Sequence, residues 1–182
     1  MKRYILILLF AVLLLPSCKK QNDNPTSGTA TINNVLKMDP KTQDYYSYGF
    51  LFSAGKLVSS HDTPPPDINI INDGSLGKLI FEANNLENSF YKVGQFSSAA
   101  KAKNVFDNLT APIVMQWIVW TDSLKSNQVW LYKSGNEHYA KVRIISTLSE
   151  RRKMETVDST NYSECTFEWV YQPDGSLTFP GK

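Results

Sequence analysis

Near the C-terminus, Cys165-Thr166-Phe167-Glu168-Trp169-Val170-Tyr171 places its large aromatics two residues apart, with Thr166 and Glu168 between them. Successive side chains of a strand point to opposite faces, so this spacing suits a pleated surface buried on one side. A helix would scatter the same rings around its circumference. Pro173-Asp174-Gly175-Ser176 follows as a strong turn sequence. No internal repeat of solenoid or propeller period accompanies the pattern.

The alternation recurs upstream. Tyr46, Tyr48, Phe50 and Phe52 alternate with Ser47, Gly49 and Leu51 as far as the turn Ala54-Gly55-Lys56, and Leu57 and Val58 begin the return strand. Residues 128–133 and 138–147 alternate around Ser134-Gly135-Asn136, which reads as a hairpin. Shorter strands are predicted at 29–32, 67–71, 78–83, 90–93 and 177–179. Pro64-Pro65-Pro66 interrupts pairing, because proline lacks the ladder donor. The β-branched and aromatic content of 113–120 assigns it to strand as well. Residues 149–163 are polar and charged and read as an exposed loop. One helix stands out. Ser97 or Ser98 can cap it, Ala99, Ala102, Val105, Phe106 and Leu109 share a face, and Pro112 lies beyond its end. The expected fold is mainly β: a single antiparallel β-rich domain with one α-helix around 97–109.

The N-terminus carries a different message. Met1-Lys2-Arg3 precedes an apolar run from Tyr4 to Leu15 of 12 residues, whereas a spanning helix needs about 20. That is the pattern of a secretory signal peptide. Leu15-Pro16-Ser17-Cys18 resembles a bacterial lipobox, the alternative being an ordinary signal with a chance cysteine. The expectation is a signal peptide over 1–17, a lipidated flexible tether over 18–28 and one domain over 29–182. Cys18 is then the membrane anchor, several acyl chains being needed for stable attachment. Lys19, rather than Asp, after the cysteine favours the outer membrane, with the leaflet left open.

Without Lys2 and Arg3 the net charge falls from +2 to zero, with 17 basic side chains against 17 acidic ones. A neutral domain carries no message of nucleic-acid binding. Of the two cysteines, only Cys165 stays free, so a structural disulfide is excluded within the mature chain. Its apolar strand face predicts a buried, inert thiol.

No nucleophile elbow, P-loop, zinc-protease helix or dinucleotide fingerprint is present, and Glu82, Glu87, Glu164 and Glu168 are not paired by any spacing. The chain is therefore expected to be a binding protein rather than an enzyme. His61 and His138 can ligate a metal or haem iron through a neutral imidazole. Met115 and Met154 can do so through thioether sulfur. The ordinary alternatives are loop-edge histidines and core methionines. The four tryptophans and the tyrosines can line a sugar-stacking or porphyrin-contacting surface, or simply fill the core. Arg151-Arg152-Lys153, flanked by Glu150 and Glu155, reads as a solvated stretch.

Three stretches bring a family into view. Val129-Trp130-Leu131-Tyr132-Lys133, Tyr139-Ala140-Lys141-Val142-Arg143-Ile144 and the run from Cys165 to Ser176 resemble the closing hairpins of HmuY-like lipoproteins. The run from Phe50 to Val58 is similar to that family's early aromatic strand and turn. The resemblance implies a β-rich domain, lipid-anchored in a Bacteroidetes-type outer membrane, whose best-known members capture haem between two loop-borne His or Met side chains. Neither His61 nor His138 falls in a segment matching those loops. The expected function is non-catalytic capture of a small apolar ligand, with haem as the candidate and His138, His61, Met115 and Met154 as candidate ligands. The alternative is a structural or glycan-binding accessory lipoprotein of an outer-membrane complex.

Overall fold

The computed structural model describes residues 24–73, 78–85, 87–154 and 157–181. In chain order the strands are β1 (Ser27–Asn33), β2 (Lys37–Met38), β3 (Tyr45–Tyr46), β4 (Tyr48–Leu51), β5 (Lys56–Ser59), β6 (Ile68–Asp73), β7 (Lys78–Ala83) and β8 (Phe90–Gln95). Helix α1 (Ala99–Asn108) follows, and then β9 (Gln128–Lys133), β10 (Tyr139–Met154) and β11 (Val157–Gln172). A five-stranded sheet runs β1-β11-β10-β9-β8, a four-stranded sheet runs β5-β4-β6-β7, and β2 and β3 form a separate ribbon. All the pairings are antiparallel. The domain is mainly β with one helix.

The aromatic alternation packs the two sheets face to face. Phe50, Ile68 and Phe81 of the smaller sheet, with Phe52 in the turn after β4, meet Trp130, Tyr132, Val142, Phe167 and Trp169 of the larger one. Phe167 receives Phe50 edge-on at 5.4 Å and Phe81 at 5.6 Å, the geometry that ring quadrupoles prefer. Cys165 shares this core, and burial pushes its thiol far above the ordinary range. Gly49 lies where the smaller sheet is tightest, since a Cβ there would sit 2.4 Å from the Ile68 carbonyl oxygen.

The opposite face of the larger sheet is covered too. Val129, Leu131 and Val170 pack beneath Ala102 and Phe106 of α1 and Phe179 of the C-terminal tail. Ser98, rather than Ser97, caps the helix, its hydroxyl accepting from the Lys101 amide at 3.2 Å. Lys141 lies in this layer with 1% of its surface exposed. Its Nζ donates to the carbonyl oxygens of Leu109 at 3.2 Å and Pro180 at 3.4 Å, near the rings of Phe106 and Phe179. Beside it, Glu168 accepts two bonds from Arg143, at 2.8 and 2.9 Å, and faces Lys103 at 3.5 Å. Charges inside this layer are thus met by opposite charges or carbonyls, which removes most of the penalty of burying them.

Several boundaries differ from the sequence expectations; the alternating run Tyr46–Phe52 is divided between β3 and β4, with Phe52 outside both. The segment 149–163 contains no free loop among its described residues: β10 and β11 continue through it as a long two-stranded arm. Asn72 of β6 reaches the base of the arm, donating to Ser149 Oγ at 3.0 Å and Ser163 Oγ at 2.7 Å. Beyond that point Glu150, Arg151, Arg152 and Asn161 are exposed and need not alternate. Arg152 instead pairs with Glu150 and stacks 3.4 Å above the Tyr162 ring. Residues 113–120 form no strand and make only isolated bridges at Ile118 and Trp120. The tail at 177–179 is an extended segment pinned through the Phe179 amide to the Thr110 carbonyl oxygen. Finally, β1 begins at Ser27, so residues 27–28, expected in the tether, belong to the sheet.

Replacing Phe167 by Ala removes a ring that meets both Phe50 and Phe81, at a cost of about 3–5 kcal/mol. Urea denaturation monitored by circular dichroism measures the loss. A change smaller than about 1 kcal/mol would show that the inter-sheet core does not depend on this ring.

Candidate functional site

At one end of the sandwich, the ends of β4, β7, β9 and β11 and the start of β6 surround a cavity of about 640 Å³. This lies within the range of small-molecule sites, roughly 300–1,000 Å³. Pro64, Pro65, Pro66, Leu51 and Pro173 supply apolar wall, while Asn84, Asn85, Asn136, Ser53 and Ser134 supply polar rim. Asn24 and Thr26, just before β1, also line it. They are fixed there by the Asn24 side-chain bond to the Ser53 carbonyl (3.0 Å) and the Tyr171 amide bond to the Thr26 carbonyl (2.7 Å).

Four side chains give the cavity its chemistry. Asp67 follows the three prolines, and its Oδ2 accepts the Phe52 amide at 2.8 Å. The Tyr132 hydroxyl reaches Asp67 Oδ1 at 3.3 Å. His138 lies in the β9–β10 connection, where its amide donates to Ser134 Oγ at 3.1 Å and its carbonyl accepts the Ser134 amide at 2.9 Å. Glu137 completes this turn at φ 57°, in the left-handed region. The Tyr171 hydroxyl shares a 2.9 Å hydrogen bond with His138 Nδ1. Phe52 stacks against Tyr132 at 5.1 Å and lies parallel to Tyr171 at 6.5 Å, so one core ring holds both phenols in place.

Burial dominates the electrostatics. It raises the Asp67 carboxyl above its ordinary value, against the opposing pull of the Phe52 amide, Tyr132 and His138. Burial and the Asp67 charge push Tyr171 up to about 12 and Tyr132 higher still. Both phenols therefore remain protonated at neutral pH. In the tautomer whose Nδ1–H donates to the Tyr171 oxygen, Nε2 of His138 carries the lone pair left for a ligand.

The other sequence candidates lie elsewhere. His61 lines a separate, shallower cleft of about 390 Å³ with Tyr46, Tyr48, Asp39 and Asp62, and its ring lies 5.5 Å from that of Tyr46. Met115 is 89% exposed on the segment after α1. Met154 pairs through its backbone with Val157, and its side chain lies outside the described residues. Cys18 lies outside them as well. Among the described residues, no three His, Cys, Asp or Glu side chains converge to hold a metal ion. Sequence reasoning missed Asp67, Tyr132 and Tyr171. Their one signal was position: each sits at the limit of a strand, next to a proline- or glycine-bearing turn.

Comparison with protein-family models returns no match, and no curated protein sequence matches the chain.

The raised Asp67 value fixes a sign. A carboxyl harder to ionise in the folded state contributes most below its unfolded value of 3.8, and that contribution is lost as pH climbs through the folded value. The stability of the native chain relative to Asp67→Asn should therefore fall as pH rises from about 3 to about 7. Parallel denaturation series would show it, and a difference independent of pH would contradict burial of this carboxyl.

Proposed function

We propose that the chain is a non-catalytic binding lipoprotein of the cell envelope, of HmuY-like fold, held on the outer membrane through acylated Cys18. It captures a small ligand with broad apolar faces in the cavity bounded by Asp67, Tyr132, His138 and Tyr171. The observation that carries this reading is His138, an imidazole lining a cavity of ligand size with its Nδ1 held by Tyr171. A partner at one ring nitrogen fixes the orientation and tautomer with which the other meets a metal. Haem is therefore the ligand to test first, with His138 Nε2 facing iron, the proline wall facing the porphyrin and the Asn and Ser rim facing its polar edge. Of the candidates whose side chains are described, His138 alone lines this cavity. The likeness of the closing hairpins to HmuY-like lipoproteins supports the same reading.

Titrating haemin into the protein and following the Soret band tests the proposal in both iron oxidation states. His138→Ala should weaken binding at least about tenfold and Tyr171→Phe by a smaller factor. His61→Ala and Met115→Ala should leave it unchanged. The absence of any Soret shift removes haem.

A specific observation favours a second reading, glycan binding within an outer-membrane complex. Trp120 is 55% exposed, and half-buried Trp117 stacks on Tyr139 beside Lys133. An exposed indole is a stacking platform for sugar rings. Retention on a glycan array that disappears in Trp120→Ala would establish this function in place of haem capture.

A further inference from the structure

The cavity, the point where the chain enters the fold and an exposed apolar pair share one end of the molecule. Cys18 and Asn24 are separated by six residue steps, which span at most about 20 Å in any conformation. Asn24 is bonded to the cavity rim, so the rim lies within that reach of the anchoring residue. In the opposite direction, the 16 residues of β10 rise about 3.4 Å each and carry the arm about 50 Å from the cavity end.

The route of the chain after α1 brings the apolar pair to this same end. The helix begins near the far end, where the Phe96 amide bonds to the Asn127 carbonyl oxygen. It finishes at Leu109, over Lys141. From there the segment reaches Trp117, stacked on Tyr139 at the cavity end of β10, and Ile118, bridged to Phe90 opposite Tyr132. Between those points, Val114 packs inward against the helix-side core. Its neighbours Ile113 and Met115 turn outward, 86% and 89% exposed, the two highest values among the large apolar side chains of the described residues.

We propose that the domain stands on the bilayer with its cavity end towards the lipid, Ile113 and Met115 resting in the headgroup boundary and the β10–β11 arm pointing away. This orientation rests on the lipid-anchor reading above. A bilayer is the occupant that the anchor brings within reach of these side chains, and it removes from water apolar surface that the fold leaves uncovered. The ligand cavity then opens at the membrane surface rather than at the outer tip of the molecule.

Site-directed fluorescence on the full acylated chain tests the orientation. Cys18 is consumed by acylation and Cys165 is buried, so an introduced cysteine is the single labelling site. An environment-sensitive dye is placed at Met115→Cys, at Ile113→Cys or, on the arm, at Arg151→Cys. The protein is then reconstituted on phosphatidylcholine vesicles containing a shallow doxyl-labelled lipid. The first two labels should shift to the blue and be quenched at least about twofold more than the third. Equal quenching at all three positions, stronger quenching at Arg151→Cys, or none at any position on vesicle-bound protein overturns the orientation. Protein that fails to float with the vesicles overturns the anchor, and the orientation with it. Haemin binding by the same preparations reports separately on the cavity.

Discussion

One stretch of β11, residues 164–170, packed on both faces and paired along both edges, carries the rest of the structure. β11 sends Cys165, Phe167, Trp169 and Tyr171 into the space between the sheets, and Glu168 and Val170 towards the helix. β1 pairs with one of its edges and β10 with the other. A slip of one residue in its register would exchange these two sets, setting Glu168 among Phe50, Phe52 and Phe81. The alternation of ring and polar residue therefore fixes more than one surface. It sets the order of three layers, and it delivers Tyr171 to the cavity as the last ring of the series.

The helix-side layer tolerates charge that the inter-sheet core does not. Lys141 is enclosed, yet its ammonium ends on two carbonyl oxygens, one at the end of α1 and one in the tail, so a single side chain ties both to the sheet. Glu168 is surrounded by Arg143 and Lys103, and Lys103 reaches Asp107 one helical turn along at 2.5 Å. Burial of these groups is offset locally. Asp67 is handled differently. Its partners are neutral donors, the Phe52 amide and the Tyr132 hydroxyl, and burial outweighs them. A carboxyl held in this way beside a cavity marks a place where the packing serves something besides stability.

Legibility in the sequence follows from which elements have two layers to choose between. Strands β4 and β11 alternate plainly, because one face of each meets the sheet opposite. β9 is an unbroken apolar run because both its faces are covered, and the helix is readable from Ser98 and the stripe ending at Leu109. The arm was unreadable for the opposite reason: hydrogen bonding between β10 and β11 holds it, and side chains such as those of Glu150 and Arg152 need only reach each other and water. The segment 113–120 misled because its outward residues, Ile113 and Met115, are as apolar as Val114, which packs inward. Of the site, His138 was visible as a histidine at a hairpin. Asp67, Tyr132 and Tyr171 were not, because their convergence depends on where strands far apart in sequence come to an end.

That dependence also accounts for the position of the cavity. Both broad faces of the larger sheet are covered, one by the smaller sheet and one by α1 and the tail, so a concavity of ligand size forms where strands end rather than across their faces. There the last inward residues of β9 and β11 still belong to the core through Phe52, while their hydroxyls have passed beyond it. Tyr132 and Tyr171 are thus core aromatics at the ring and site residues at the oxygen, an arrangement suited to a side chain with an apolar body and a polar tip. The same packing that rigidifies the sandwich orients the hydroxyls of the cavity. Asp67 and His138 reach those oxygens from short connections, and each connection is braced by its own hydrogen bonds, from the Phe52 amide to Asp67 and from the His138 amide to Ser134. A ligand meeting His138 therefore presses on an imidazole backed by Tyr171, and through Tyr171 on the strand from which the whole domain is built.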